Sequence, residues 1–261
     1  MRFCALVMLL SLGTFVPRAE AQNLGVIDGQ FLLDGPSPKA DAPPRVKKGD
    51  MAVRNWEVCA KADVPDETLL VDAKSKGIAN IVVYLRKAPA GMPAALQAPK
   101  VKEIKFDQKA CRFEPRILPV QIGQTINCTS QDPVPHNLRT SGFANENVNF
   151  VVNQGTPSPV NLLKPDHLPI AVACDFHGWM DAYWIATNHP YVAVTDADGK
   201  FSIKDLPVGD HDFTVWHETG FVPVPSGKTL KVSVKAGQQT IPPIKVSASH
   251  FVQAIEKRRQ K

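Results

Sequence analysis

The stretch PIAVACDFHGWMDAYWIAT, residues 169–187, places two short apolar runs on either side of a loop that carries Cys174, His177 and Met180. PIAVAC and AYWIAT each have the length and the β-branched or aromatic content of a strand. Similar runs recur along the 261 residues, bounded by Gly, Pro and Asp, and helical periodicity is almost absent. Together with 23 prolines, this pattern predicts an all-β protein built of sandwiches or barrels.

The N-terminus has the pattern of a secretory signal. Arg2 precedes an apolar run at residues 3–16, and the A-E-A sequence at 19–21 matches a small-residue cleavage site. We therefore expect residues 1–21 to be removed and the mature protein to be periplasmic or secreted. The apolar run is too short to span a bilayer, and no later run reaches the roughly 20 residues that a transmembrane helix needs.

The charge distribution gives no indication of a nucleic-acid partner. The formal net charge is +5, and loss of Arg2, Arg18 and Glu20 with the signal lowers it to +4. This charge is spread along the chain, apart from a basic tail at residues 248–261 that ends in EKRRQK. A basic face or stripe is the feature that indicates nucleic-acid binding, so we expect none.

Residues 193–218, AVTDADGKFSIKDLPVGDHDFTVWHE, have a strand pattern of their own. Asp198-Gly199 is typical of a hairpin turn, and Phe201 and Ile203 alternate on the strand that follows. The TD-x-x-G-x-F and L-P-x-G elements resemble the carboxypeptidase regulatory-like or Cna-B-like modules, which implies a small immunoglobulin-like or prealbumin-like β-sandwich. GVIDGQFLLDG and NIVVYLRK would supply its first strands. The expected domains are the signal at 1–21, an interrupted sandwich at 22–99 with 189–247, an inserted domain at 100–188 and the tail at 248–261.

The inserted domain resembles the cupredoxins, a family of copper proteins. CRFEPRILPVQIGQTINCTSQDPVPHN, residues 111–137, follows the P-x-x-L-x-V-x-x-G strand pair and the D-x-x-x-H-N strand end of that family. The closing C-x-x-H-x-x-M loop has the spacing of amicyanin rather than that of plastocyanin. The resemblance covers roughly a third of the chain and implies a Greek-key cupredoxin β-sandwich. Outside the closing loop, the matched residues are Pro115, Leu118, Val120, Gly123, Asp132, His136 and Asn137.

This resemblance implies one type 1 copper site with His136, Cys174, His177 and Met180 as ligands. Two imidazoles and a thiolate with a weak thioether suit both Cu(I) and Cu(II), so an electron can be transferred with little ligand movement. Zinc also binds Cys and His, but the thioether and the lack of a second thiol or carboxylate at suitable spacing argue against it. Asn137 would tie the two ligand-bearing loops together. In the alternative interpretation Cys174 ends a buried strand, His177 is solvated and Met180 packs in the core.

Four cysteines remain after loss of the signal, and in an exported protein they allow two disulfides. If Cys174 is a metal ligand, one of the other three is unpaired. Strand alternation in TINCTS places Cys128 on the face of Ile126, where it would be a small buried hydrophobe. Cys59 and Cys111 are then expected to form the disulfide.

The cupredoxin resemblance implies a carrier of single electrons between periplasmic redox partners, with a cytochrome or an oxidoreductase on either side. The alternatives are a copper-binding or copper-delivery protein and a structural or carbohydrate-associated module with a degenerate metal site. The chain has no GxSxG or HExxH motif, which favours a protein that is not an enzyme. His189 and His217 are either buried, hydrogen-bonded histidines or part of a second metal site with Glu218. In the carrier, His177 would reach an apolar surface patch formed by Phe176, Trp179, Pro133, Val134 and Pro135.

Overall fold

A computed structural model describes residues 23–38 and 42–259 of the protein, which is nearly all β. Before residue 100 lie strand β1 (Leu24–Asp34), the four-residue helix α1 (Trp56–Cys59), strand β2 (Val82–Leu85) and a 3-10 turn (Ala94–Leu96). The middle of the chain forms β3 (Glu103–Lys109), β4 (Arg112–Glu114), β5 (Ile117–Gln121), β6 (Thr125–Cys128), β7 (His136–Ser141), β8 (Asn149–Val152), β9 (Ser158–Asn161), β10 (Ile170–Ala173) and β11 (Asp181–Thr187). The last part forms β12 (Val192–Val194), β13 (Lys200–Pro207), β14 (Gly209–His217), β15 (Gly220–Phe221), β16 (Leu230–Val234), β17 (Gly237–Thr240), β18 (Ile244–Ser247) and helix α2 (Ser249–Arg259).

Strands from both ends of the chain form one β-sandwich, which we call the terminal sandwich. One of its sheets has the order β13-β1-β17, with β18 also paired to β1, and the other has the order β12-β2-β14-β15, with β16 also paired to β14. Successive residues of a strand face opposite sides, and β1 alternates between buried and half-buried positions almost throughout. This alternation places Ile27, Phe31 and Leu33 in the core between the two sheets.

Strands β3 to β11 form a second sandwich, which we call the inserted sandwich. Its sheets have the orders β4-β3-β6-β9 and β5-β11-β10-β7-β8. Phe106 and Trp184 are fully buried between the sheets and meet edge to face, with ring centroids 5.3 Å apart. Cys128 and Cys174 belong to the same core. The terminal and inserted sandwiches thus have separate cores, whereas the domain boundaries at residues 99/100 and 188/189 stay predictions.

The two sandwiches pack against each other through the outer faces of two sheets. Ile117 on β5 and Ile185 on β11 meet Val82 and Tyr84 on β2 and Trp216 on β14 in one buried cluster. Their sequence neighbours on the same strands face the core of their own sandwich. Strands at this junction are therefore apolar on both faces, which is why they read as nearly continuous apolar runs.

Asp198-Gly199 forms the predicted turn but not the predicted hairpin. Strands β12 and β13, on either side of it, belong to different sheets of the terminal sandwich, so the turn carries the chain across the core. Gly199 has a φ of +75°, and a Cβ at this position would collide with the carbonyl oxygen of Phe31. Glycine is required there for its backbone conformation and for this close approach.

Residues 249–259, predicted as part of a basic tail, form helix α2 instead. Phe251 and Ile255, one helical turn apart, are buried in the core of the terminal sandwich. No helix within the described ranges is both long and apolar enough to cross a membrane. The predicted signal at 1–21 lies outside the described residues.

Candidate metal centre

The closing loop of the inserted sandwich and the start of β7 meet at one end of the sheet. Cys174 directly follows β10, and the chain enters β11 directly after Met180. The N–H of Cys174 donates to the carbonyl oxygen of Met180 (3.3 Å), and the N–H of Met180 donates to that of His177 (2.9 Å). His136 is the first residue of β7, which pairs with β10. Met180 is buried in the core beside the loop.

His136, Cys174 and His177 point their ligand atoms at one another. The two Nδ1 atoms of His136 and His177 are 2.9 Å apart, and Cys174 Sγ lies 3.7 Å from His177 Nδ1. Both histidines are 0% exposed and Cys174 is 2% exposed. Bonds of about 2.0 Å to nitrogen and about 2.3 Å to sulfur, as found for zinc, hold such ligand atoms roughly 3 to 4 Å apart. The spacing therefore fits a single metal ion.

Each histidine has its far nitrogen bound by an oxygen acceptor. His136 Nε2 lies 2.9 Å from a carboxylate oxygen of Asp132, and His177 Nε2 lies 3.1 Å from the amide oxygen of Asn55. Carboxylate and amide oxygens only accept, so in each neutral ring Nε2 carries the hydrogen and Nδ1 keeps its lone pair. Two lone pairs that face each other at 2.9 Å repel unless a cation or a shared proton lies between them. The facing Nδ1 atoms can therefore share one cation or one proton.

Asp132 is held by the backbone beside it. Its carboxylate accepts the N–H of Ala110 (2.7 Å) and the N–H of Cys111 (2.8 Å). Ala110 and Cys111 have φ values of +50° and +52°, and successive N–H groups in such turns form an anion-binding concavity. Burial would raise the pKa of Asp132, but the bonds from His136 and from the two N–H groups lower it. The carboxylate that orients His136 is therefore charged.

The cysteine of the cluster has an unusually acidic thiol. Burial would raise the pKa of Cys174, but hydrogen bonds with His136 and His177 outweigh burial and bring the pKa to about 6. Burial would likewise lower the pKa of His136, yet the Asp132 carboxylate and Cys174 raise it above its ordinary value. A thiol with a pKa near 6 is mostly thiolate at neutral pH, and the thiolate is the form that binds metals.

Asn137 links the two segments that carry the candidate ligands. Its side-chain oxygen accepts the N–H groups of Asp175 and Phe176 in the closing loop. Its Nδ2 donates to the carboxylate of Asp175 (3.0 Å) and to Asn149 (2.8 Å). These bonds are the cross-link that the cupredoxin resemblance implied for this asparagine, and they fix the start of β7 to the closing loop.

The predicted disulfide is confirmed. Cys59 and Cys111 are bonded, with their Cα atoms 5.3 Å apart. Among the cysteines that the structure describes, Cys128 and Cys174 are free and buried. Burial raises the pKa of Cys128 to about 12, so this thiol stays protonated at neutral pH. Cys128 is thus the small buried hydrophobe that strand alternation predicted.

A segment that we call the cap, residues 45–65, lies over the centre. It contains helix α1 and a β-bridge between Val46 and Val64. Val46 and Val64 are buried with Ala60 in a small apolar cluster, against which Trp179 of the closing loop packs. The cap is therefore attached to the closing loop by apolar contacts as well as to the inserted sandwich by the disulfide.

The cap corrects the predicted exposure of His177. This side chain has no exposed surface, and Asn55 of the cap binds its far edge. The guanidinium of Arg54 lies over the ring of Phe176, 4.4 Å from its centroid. The prediction that His177 reaches the surface is wrong, because contacts between the closing loop and a segment so distant in sequence leave no local pattern.

The residues predicted to surround His177 do not form one open apolar face. Trp179 is half-buried, and its Nε1 donates to the carbonyl oxygen of Cys111 (3.1 Å). Val134 is half-buried against the core, and only Pro133 and Pro135 are exposed. The cap thus occupies part of the area expected to be free.

His189 and His217 belong to no converging group of three ligands in the described part of the chain. Glu218, their proposed co-ligand, is bound through both carboxylate oxygens by Arg116, at 2.6 and 2.8 Å. His189 Nδ1 accepts the N–H of Tyr191 (3.2 Å), and burial lowers the pKa of His189 to about 4. Of the two interpretations of these histidines, the contacts favour the buried, hydrogen-bonded one.

Sequence patterns did not identify the two residues that orient the histidines. Asp132 belongs to the D-x-x-x-H-N pattern, and its position four residues before His136 was the available signal. Asn55 lies 122 residues from His177, in a segment without a motif, so no local signal identifies it.

Comparisons with known families and with curated proteins give no match. Partial similarity to solved structures includes the copper-containing nitrite reductase of Thermus scotoductus SA-01, with 14% identity over 38% of this chain and 25% of that chain and a TM-score of 0.31. It also includes a reduced amicyanin variant, with 16% identity over 32% of this chain and 81% of that chain and a TM-score of 0.29. A purple cupredoxin from Nitrosopumilus maritimus has 19% identity over 31% of this chain and 97% of that chain, with a TM-score of 0.27. The chain spans about a quarter of the nitrite reductase, and the regulatory-like character of the terminal sandwich stays a prediction.

Proposed function

We propose that the protein is an exported copper protein that carries single electrons between redox partners and is not an enzyme. His136, Cys174 and His177 would hold one copper ion, with Met180 as a weak fourth ligand. The observation that carries the proposal is the convergence of two imidazole Nδ1 atoms and the Cys174 sulfur, all of them buried. Bound there, copper would supply the change between Cu(I) and Cu(II).

The ligand set favours copper over zinc. A structural zinc site takes four strong ligands from thiolates, imidazoles and carboxylates. The carboxylate beside His136, that of Asp132, is engaged by two backbone N–H groups and by the far nitrogen of His136. Three strong ligands with a neighbouring thioether match the trigonal copper sites of electron carriers.

The surroundings also suit electron transfer because each candidate ligand is fixed in advance. Asp132 and Asn55 hold the two imidazoles, and Asn137 holds the closing loop. Hydrogen bonds of this kind fix ligand orientation. A site that moves little when the ion changes charge exchanges electrons with a low reorganisation cost.

The first experiment adds Cu(II) to the mature protein and to its Cys174→Ser variant and records the visible absorption. We expect an intense thiolate-to-copper band in the wild type, no such band in Cys174→Ser, and an unchanged band in Cys128→Ala as the matched control. A wild-type protein that stays colourless, or a band that survives in Cys174→Ser, would contradict the proposed site.

A second candidate function is copper holding or delivery without electron shuttling, and the burial of His177 under the cap favours it. Voltammetry distinguishes the two. A carrier should cycle reversibly at an electrode without losing copper. A delivery protein should instead release the metal to an acceptor chelator in one oxidation state.

A further inference from the structure

The two residues that bind the candidate histidine ligands are each hydrogen-bonded to one cysteine of the same disulfide. Asn55, which binds His177 Nε2, lies four residues before Cys59, and its carbonyl oxygen accepts the N–H groups of Val58 (3.0 Å) and Cys59 (2.9 Å). Asp132, which binds His136 Nε2, accepts the N–H of Cys111. Because Cys59 and Cys111 are bonded to each other, both supports are fixed to the same covalent link.

We propose that Asn55 is the positioning residue of His177, and that the Cys59–Cys111 disulfide fixes Asn55 and Asp132 together so that both imidazoles face the metal before it binds. This inference rests on the proposed copper site and extends it to residues outside the ligand set. Asn55 touches no metal and acts only through His177.

The conformation of Asn55 explains why an asparagine stands at this position. Its φ is 55° and its ψ is 40°, in the left-handed region that asparagine tolerates better than most residues. In this conformation its backbone carbonyl begins the α1 turn while its side-chain oxygen reaches His177. Aspartate can adopt the same conformation and keep an acceptor, whereas glycine can adopt it without one.

The position of Asn55 has a second consequence, which concerns access to the centre. The Asn55 side chain covers the Nε2 edge of the His177 ring, which faces away from the candidate metal position. The guanidinium of Arg54 lies over the neighbouring ring of Phe176. A redox partner therefore meets the cap rather than the imidazole of His177. Loss of the Asn55 bond should loosen the metal and at the same time open this edge.

The experiment compares Asn55→Gly, Asn55→Asp and the matched control Asn80→Gly with the wild type. Asn80 has a similar φ of +64° but belongs to the terminal sandwich, where its N–H donates to Thr195. Asn80→Gly therefore reports the effect of replacing a left-handed asparagine without touching the centre. Unfolding free energies of all variants are measured in parallel, so that a general loss of stability is recognised.

The first measurement needs no copper. Nitrogen-15 NMR of the histidine rings in the metal-free protein should show His177 as a single tautomer with hydrogen on Nε2 in the wild type, in Asn80→Gly and in Asn55→Asp. Asn55→Gly should give a mixture of tautomers at His177 only. The double variant Cys59→Ala/Cys111→Ala should lose the single tautomer at both His136 and His177.

The second measurement follows copper loss to an excess of chelator. Removing a group that orients a metal ligand typically weakens metal binding 10- to 100-fold, so Asn55→Gly should lose copper faster by about that factor. Asn55→Asp should restore most of the retention, and Asn80→Gly should match the wild type.

The inference is overturned if Asn55→Gly keeps the wild-type tautomer and copper-loss rate, or if Asn55→Asp behaves like Asn55→Gly in both measurements. Its second part is overturned if the disulfide-free variant keeps both single tautomers. A wild-type protein that forms no coloured copper complex would instead contradict the proposed function. The tautomer measurement would still decide whether Asn55 positions His177.

Discussion

Cys128 and Cys174 belong to the same core, are both almost completely buried and are both free, yet their thiols differ greatly in acidity. Burial raises the pKa of Cys128 to about 12, and the carbonyl oxygen of Ile126, which lies 3.8 Å from its sulfur, accepts from the thiol and does not stabilise a thiolate. At Cys174 burial acts in the same direction, but two imidazoles reverse it and bring the pKa to about 6.

The difference shows that burial alone does not determine what a cysteine can do. Cys128 is a small apolar side chain in the core, whereas the Cys174 thiol lies beside the imidazoles of His136 and His177. A buried cysteine with no group that stabilises its thiolate is unreactive, whereas a buried cysteine beside two histidines favours the thiolate. The histidines, rather than the depth of the site, make Cys174 a candidate ligand.

The largest expected effect is on thiolate formation in the copper-free protein. Between about pH 4 and about pH 8, one thiolate should appear with a midpoint near 6, and no second one should form below about pH 11. Ultraviolet thiolate absorbance measures the step near pH 6, well below the pKa of about 10 at which tyrosines ionise, and the difference between the wild type and Cys128→Ala measures any later step. Cys174→Ser should remove the step near pH 6, and Cys128→Ala should keep it. A wild type that gains no thiolate below about pH 8 would break the comparison.

The paired cysteines extend the comparison from chemistry to stability. Cys59 and Cys111 are separated by 52 residues, and closing a loop of that length stabilises a fold by about 4 kcal/mol in the chain-entropy model. Denaturant unfolding of Cys59→Ala/Cys111→Ala should show a loss of this order. The Cys128→Ala variant is its control, since it removes a free sulfur from the same core. Equal stabilities of the double variant and the wild type would mean that the cap is held by its apolar contacts alone.

The sequence predicted the features that depend on local pattern. Alternation placed Cys128 and Ile126 on one buried face, and the two runs around the closing loop are strands β10 and β11. His136 was predicted to meet Cys174 and His177, and it lies beside them; whether the three bind copper stays a prediction. These successes share a cause, because strand periodicity and short ligand spacing are both readable along the chain.

The incorrect predictions concern the path of the chain and the contacts between segments that are distant in sequence. The Asp198-Gly199 turn has the same sequence chemistry whether the next strand pairs with the previous one or crosses to the other sheet. Asn55 reaches His177 because the cap folds over the loop, which no spacing in the chain encodes. The helix at 249–259 has a local signal, since Phe251 and Ile255 are four residues apart, but the basic residues near it predicted a tail.

His136 and His189 are both buried, and their pKa values also shift in opposite directions. The expected effect on stability is smaller than that of the disulfide. Asp132 and Cys174 raise the pKa of His136, whereas burial lowers the pKa of His189 from 6.5 to about 4. Between pH 6.5 and about pH 4, His189 is protonated in the unfolded chain but not in the folded protein. The contribution of neutral His189 to the unfolding free energy is therefore fully present above about pH 6.5 and is lost as the pH falls toward 4. The loss is at most about 3 kcal/mol.

The measurement is the unfolding free energy of the copper-free protein from pH 4 to pH 7, for the wild type and for His189→Asn. Asparagine keeps an acceptor for the N–H of Tyr191 and does not titrate, so the variant should show a flatter pH dependence. His167→Asn, at an exposed position, should follow the wild-type curve. Parallel curves for wild type and His189→Asn would mean that folding does not lower the pKa of His189.

The smallest expected effect belongs to Cys128, and it tests whether this residue only fills space. Strand β6 lies between β3 and β9, and the Cys128 side chain is 0% exposed in the core. Cys128→Ala removes one sulfur atom and leaves a small cavity, which should cost about 1 kcal/mol of unfolding free energy. The copper band and the thiolate step near pH 6 should not change, because both depend on Cys174. A Cys128→Ala variant that lost copper would show that the two cysteines are coupled through the core. The difference between their thiol pKa values would then arise within one shared site and not from two separate environments.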